Sequence, residues 1–337
     1  MNRRKSLTLF GGLAAGISSS RACLWDSHTL KDELASKPKV LDLILGQFPH
    51  HGDVFYQTRI ARLEKQASLN VNESNDLAVA YVRLKEFTKG MAILEAQIKK
   101  TPGHYETLSN IGVTAKKSGD FKKGADFIEK ALAIKPEGHM VLGDWYLKAL
   151  RWRTKYERSL ENRPPAFNFL NIPYLGVFRE NYYGMEEGFP RGYPIPPEHR
   201  NRFLKMVRND QSFADGFAAL GDYLTFSGDL NLAFLAYTRA MVLKHQNHGE
   251  IRRRRRTYLK HAEAHIRDPK RKHRGTAFWK AEIAKAEGMI RQGLAWLERY
   301  KTVEGELVSK VGDERKVEIA DVEAELVERK ISRVTIS

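Results

Sequence analysis

The sequence predicts an all-α chain: a solenoid of helical hairpins, interrupted by an aromatic and proline-rich insertion and finished by C-terminal capping helices. Three observations lead there. Pro102 and Pro136 lie 34 residues apart, and each ends a helix-pair pattern. Small and large apolar residues recur in one frame in three separate stretches. With 42% apolar and 29% charged residues over 337 positions, the chain can bury a sizeable core as two domains or as one elongated array.

The elements follow in order. Residues 1–22 read as a signal peptide: Arg3, Arg4 and Lys5 form a basic start, an apolar run extends from Leu7 to Ile17, and small Ser20 and Ala22 precede Cys23. Cleavage there leaves a charge of about +12 from the full chain's +16. Cys23 is the one cysteine, which excludes a disulfide framework and a cysteine-built zinc site. It stands where a bacterial lipoprotein carries its acylated cysteine, so it is a candidate lipidation site, with cleavage without lipid as the alternative. Residues 23–70 read as N-terminal helices of a degenerate repeat. Thr29 and Val40 begin short helices, and Asp53 caps a helix that carries Phe55, Ile60 and Leu63 on one stripe.

Residues 71–138 hold two repeat units and 214–247 a third. The second unit has Leu108, Ile111, Gly112, Ala115, Gly119, Phe121, Gly124, Ile128, Ala131 and Pro136. The first repeats this with Leu77, Ala78, Tyr81, Phe87, Gly90, Leu94 and Pro102, the third with Leu220, Gly221, Leu224, Gly228, Ala233, Tyr237 and Ala240; His245 takes the proline's place. Small residues let two antiparallel helices approach, Gly119-Asp120 and Gly228-Asp229 make the turn, and proline stops the second helix. These offsets resemble the tetratricopeptide repeat (TPR) family. The resemblance implies an inner face, built by the first helices, that binds an extended peptide. Its contact positions fall on Asn72, Asn75, Val79, Val82 and Arg83, then Glu106, Ser109, Val113, Lys116 and Lys117, then Asp215, Ala218, Asp222, Thr225 and Phe226. The family's carboxylate clamp for chaperone tails is not carried over, since only Asn110 falls on one of its positions.

Residues 139–160 read as an extended helix with Leu142, Trp145, Tyr146, Ala149 and Trp152. The insertion, 161–198, mixes prolines with Phe167, Phe169, Tyr174, Phe178, Tyr182 and Tyr183, too aromatic for disorder. It is expected to plug exposed repeat surface; a wall or lid of a groove is the functional alternative. Residues 199–247 hold a helix plus the third unit. Residues 248–300 form basic capping helices, one over 250–266 and one from about Thr276 to Tyr300. The charged tail, 301–337, is left open between a loose helix and partial disorder.

The chemistry is mostly that of binding. No GxGxxG, Walker loop or GxSxG occurs. His261 and His265 share a helix face, but Glu263 points away from both, so no metal site and no cofactor are expected. The expectation is a protein-interaction scaffold of the bacterial envelope, periplasmic or envelope-associated. Its candidate peptide contacts are Val79, Arg83, Glu106, Asn110, Val113, Lys116, Lys117, Asp222 and Phe226, the basic ones meeting an acidic partner. A candidate anion-binding stretch carries Arg252, Arg253, Arg254, Arg255, Arg256, Lys270, Arg271, Lys272 and Arg274. Five consecutive arginines wrap beyond one helical turn, so some must lie near the buried stripe. An anionic membrane surface or envelope polymer is its expected partner. The rivals are a cytosolic nucleic-acid-binding repeat protein, which export would exclude, and an enzyme with its site under the aromatic insertion.

Overall fold

Helix starts and stops fall where local hydrogen-bond chemistry puts them. A computed structural model of the chain describes residues 24, 26, 38–138, 142–156, 168–170, 198–264 and 275–335. Among the described residues there are helices and no strands. In order they are α1 (Val40–Leu45), α2 (Asp53–Glu64), α3 (Val71–Arg83), α4 (Phe87–Lys100), α5 (Tyr105–Lys117), α6 (Phe121–Ile134), α7 (Gly143–Tyr156), α8 (Glu198–Asn209), α9 (Ala214–Phe226), α10 (Leu230–Val242), α11 (His248–Ala264), α12 (Gly275–Val311) and α13 (Ile319–Glu328). The signal-like segment 1–22, Cys23 and most of the insertion lie outside the described residues.

The three hairpins α3–α4, α5–α6 and α9–α10 stand where the period puts them. Asn70 starts α3 with a reciprocal cap: its side chain accepts from the Glu73 N–H, and Glu73 accepts from the Asn70 N–H. Asp120 and Asp229 cap α6 and α10 from the turn, each side chain accepting from the N–H three residues on, without the return bond. The residue before each of these aspartates is in the left-handed region, Gly119 at φ 92° and Gly228 at φ 80°. The first hairpin places Lys85 there instead, at φ 65°, and Lys244 ends α10 at φ 58°. In all four turns the following N–H reaches back to a carbonyl of the helix, as from Asp120 to Ala115 and from His245 to Ala240. Within α5–α6 the backbones nearly touch: a Cβ on Gly112 would stand 2.7 Å from the Ile128 side chain and 3.1 Å from the Gly124 carbonyl oxygen.

The array then closes on itself. α7 packs on α6, α8 on α9 and α11 on α10, while α1 packs against α8 and α10. The long α12 contacts α1, α2, α10 and α11, and so ties the first helices to the last. A Cβ at Gly293 of α12 would lie 2.5 Å from the Leu45 carbonyl oxygen, which is how closely that helix seats on α1. Buried charges secure the junction. Glu304 of α12 accepts from the Gly52 N–H at 2.7 Å and sits 2.5 Å from His51 Nδ1, and Glu314 holds Arg62 at 2.6 Å.

Several expected boundaries shift. Gly52, not Asp53, is the cap of α2. Of the helix expected over 139–160, the described part is α7, and 139–141 and 157–160 lie outside the described residues. α12 does not stop near Tyr300 but runs on to Val311, because Trp296, Tyr300, Val303 and Val308 form one buried stripe. The tail is ordered as well. A 3-10 turn at Glu314–Lys316 and α13 fold back, and Val317, Val322 and Leu326 join Phe55, Tyr56 and Tyr300 in one cluster. Of the insertion, Asn168, Phe169, Leu170 and Glu198, which begins α8, are described; Phe169 is buried against Phe213.

Candidate functional site

A groove of about 490 Å³ opens where α3 and α5 end beside α7. Arg83 and Lys117 close those helices, Arg153 comes from the last turn of α7, and Lys85 and Lys244 project from turns. Lys116 completes six basic side chains against two acids, Asp210 and Asp215. A second hollow of about 850 Å³ shares His50, Arg83 and Lys85 with it and continues along α12 past Lys301 and Ser309. The second hollow is also lined by Asp53, Glu298 and Glu306, so the basic excess belongs to the first groove, where it concentrates anions beyond what isolated surface lysines would.

The two acids are engaged internally. Asp210 Oδ2 lies 2.6 Å from Lys116 Nζ, and its Oδ1 accepts from the Ser212 N–H and hydroxyl. Burial pushes the Asp210 carboxyl up, but Lys116, Lys117 and the Ser212 hydrogen bond together hold it well below the usual carboxylate range. Lys116 also sits over the Phe213 ring, 4.0 Å from its centroid, so its work is to pin the loop between α8 and α9. Asp215 is bound by His245 Nε2 at 3.1 Å and Arg153 at 3.6 Å. Burial alone would raise its carboxyl; His245 and Arg153 outweigh that and lower it. His245 Nδ1 accepts from the Asn247 N–H, so both ring nitrogens are occupied. His50 faces Arg83 at 3.4 Å, and burial with Arg83, His51, Lys301 and Lys117 keeps its imidazole neutral.

Of the candidate peptide contacts, Arg83, Lys116 and Lys117 meet in this groove. The others do not. Val79 and Val113 are buried in an apolar cluster that also contains Leu24. Asn110 is fully buried and donates to Asn75 Oδ1 at 2.9 Å, joining α5 to α3 rather than facing a ligand. Glu106 pairs with His104 at 3.4 Å. Asp222 is fully buried, accepting from Tyr237 at 2.8 Å and Asn168 at 3.0 Å, with Arg254 at 3.2 Å. Phe226 ends α9, and its side chain lies outside the described residues.

The arginine run divides as helical geometry requires. Arg254 and Arg255 are buried, paired with Asp222 and Glu287, and so leave the candidate anion surface. Arg252, Arg253 and Arg256 are exposed, with Arg253 bound to Glu250. Lys270, Arg271, Lys272 and Arg274 lie outside the described residues, as does the His261 side chain. Sequence reasoning missed Lys85, Arg153 and Lys244. A usable signal existed for Lys85: in the 34-residue frame it fills the slot of Gly119, and a lysine held at positive φ is unusual. Among the described residues no helix is long and apolar enough to cross a membrane.

In comparisons with known proteins, no family model matches the chain and no curated protein matches it. The fold itself is all-α and rich in helical hairpins, compatible with a helical-repeat solenoid.

Proposed function

We propose that the chain is an exported TPR-like solenoid of the bacterial envelope, a scaffold that binds an extended acidic peptide or protein segment in the basic groove. The observation that carries this reading is the convergence of Arg83, Lys85, Lys117 and Lys244 on one groove whose two acids are taken up by Lys116, His245 and Arg153. The TPR assignment is supported by three hairpins in one frame, with small residues at the helix crossings. Export is supported by the basic, apolar and small-residue order of 1–22. Binding is favoured over catalysis because the one histidine–aspartate pair at the groove has no ring nitrogen left to take a substrate proton.

The test uses the full chain and a fluorescein-labelled acidic peptide read by anisotropy. Reversing Lys117 and Lys244 to Glu is expected to weaken binding about tenfold or more while helicity stays unchanged. Equal affinity in the variant would refute the reading. Lys116 is unsuited to this test, because its loss would strand Asp210.

A further inference from the structure

His50 stands where the two hollows meet and lines both of them. It belongs to the connection between α1 and α2 and faces the end of α3. Its ring meets Phe48 edge-on, with centroids 6.3 Å apart, and its Nε2 lies 3.4 Å from Arg83 Nη1. A guanidinium only donates, so Nε2 is the accepting nitrogen of a neutral ring.

The charged groups around His50 come from every side of the groove. α3 brings Arg83 and the turn after it Lys85, α5 brings Lys117, and α12 brings Lys301. Arg153 of α7 and Lys244 after α10 line the same groove. His51, next in the chain, is engaged by Glu304 at 2.5 Å. The acids are placed differently. Lys116 takes up Asp210, while His245 and Arg153 take up Asp215. In the second hollow Glu298 lies 2.8 Å from Lys301, Glu306 lies 2.8 Å from Arg329, and Asp53 is exposed at the start of α2. Burial, and then Arg83, His51, Lys301 and Lys117, hold the His50 imidazole well below its ordinary 6.5.

A ligand that brings negative charge reverses this balance. A carboxylate that approaches Arg83 competes with His50 Nε2 for the guanidinium N–H groups, and its charge offsets the cations that keep the ring neutral. Both effects favour the imidazolium, whose Nε2–H then donates to that carboxylate, the proton coming from solvent.

We propose that His50 is a further contact residue of the basic groove: it takes up a proton as the acidic segment binds, and so makes capture of that segment stronger in mildly acid conditions. This names the regulation of the acidic-peptide site and rests on that reading. Proton linkage fixes the direction. A site that binds more protons with its ligand than without it gains affinity as pH falls, here from about 7.5 to about 5.5. The peptide carboxylates stay charged over this range, with ordinary values of about 3.9 and 4.3. The other histidine of the groove, His245, has both ring nitrogens occupied by Asp215 and the Asn247 N–H.

The experiment uses the full chain and a rhodamine-labelled hexaglutamate peptide, read by anisotropy at constant ionic strength. Wild type is expected to bind about fivefold to tenfold tighter at pH 5.5 than at pH 7.5. His50→Gln keeps a hydrogen-bonding group opposite Arg83; it should match wild type at pH 7.5 and change little at pH 5.5. Calorimetry of the wild-type chain with the peptide, at pH 6 in two buffers of different ionisation heat, gives a reading free of any folding effect of the substitution. It should show net uptake of roughly half a proton or more per complex. Uptake near zero, or a folded His50→Gln variant that keeps the wild-type pH dependence, overturns the proposal and leaves the basic groove standing. If hexaglutamate binds at neither pH, both fail.

Discussion

Two hairpins built on the same 34-residue frame treat their inner faces in opposite ways. Where α5 carries Val113, α9 carries Asp222. Val113 sits in an apolar cluster completed by Leu24 from the N-terminal stretch. Asp222 sits in a buried polar knot completed by Asn168 from the insertion and Arg254 from α11. The helix crossings behind them are alike, with Gly112 against Ile128 and Gly221 against Tyr237. The frame therefore sets the backbone, while the inner position decides what covers it. One face is closed by an apolar side chain, the other by hydrogen bonds and a charge pair.

The largest test of that contrast is to break each cover. Arg254→Ala leaves Asp222 buried without its cation and should cost about 3–5 kcal/mol in urea unfolding. Val113→Ala removes two buried methyl groups and should cost about 2 kcal/mol. Equal costs would mean that the polar knot is no more demanding than the apolar cluster.

The next effect is on pH. Burial outweighs the Arg254 charge and the Tyr237 hydrogen bond and pushes the Asp222 carboxyl up to about 6 from its ordinary 3.8. A carboxyl raised on folding contributes stability that is complete below its unfolded value and lost as pH rises through its folded one. Asp222→Asn should therefore remove a decline of order 1–3 kcal/mol between pH 3.8 and about 6, measured as the difference between the two unfolding curves. The lowered Asp210 and Asp215 act at more acid pH, with the opposite slope. A constant offset between wild type and variant across the window would contradict the assignment.

The smallest effect sharpens the comparison of turns. Gly119 and Gly228 take the left-handed turn at no steric cost, whereas Lys85 takes it at a cost and lines the groove. Lys85→Gly should raise stability by about 0.5–1 kcal/mol and weaken acidic-peptide binding. A gain in stability with unchanged binding would remove Lys85 from the site.

What could be read from the chain follows from which interactions are local. The hairpins were legible because glycine turns, aspartate caps and small crossing residues all act within one 34-residue unit. The closure of the array was not. His51 with Glu304 and Arg62 with Glu314 join residues some 250 positions apart, and nothing in either neighbourhood announces its partner. The tail looked merely charged because its buried face depends on Phe55 and Tyr56 of α2. Arg83, Lys116 and Lys117 were found from their helix positions, but the turn lysines and Arg153 converge on them only after α7 and the α10–α11 turn have packed. Asp222 and Asn110 were misplaced as ligand contacts because the residues that cover them come from elsewhere in the fold.

The most direct test sets the groove against the exposed arginines with one labelled acidic peptide, titrated at low and at physiological salt. Arg83→Gln combined with Lys117→Gln should weaken binding about tenfold and reduce its salt dependence, while Arg252→Gln combined with Arg256→Gln should leave both nearly unchanged. Loss of binding in the second variant with retention in the first would move the site to α11 and contradict the basic groove as the binding surface.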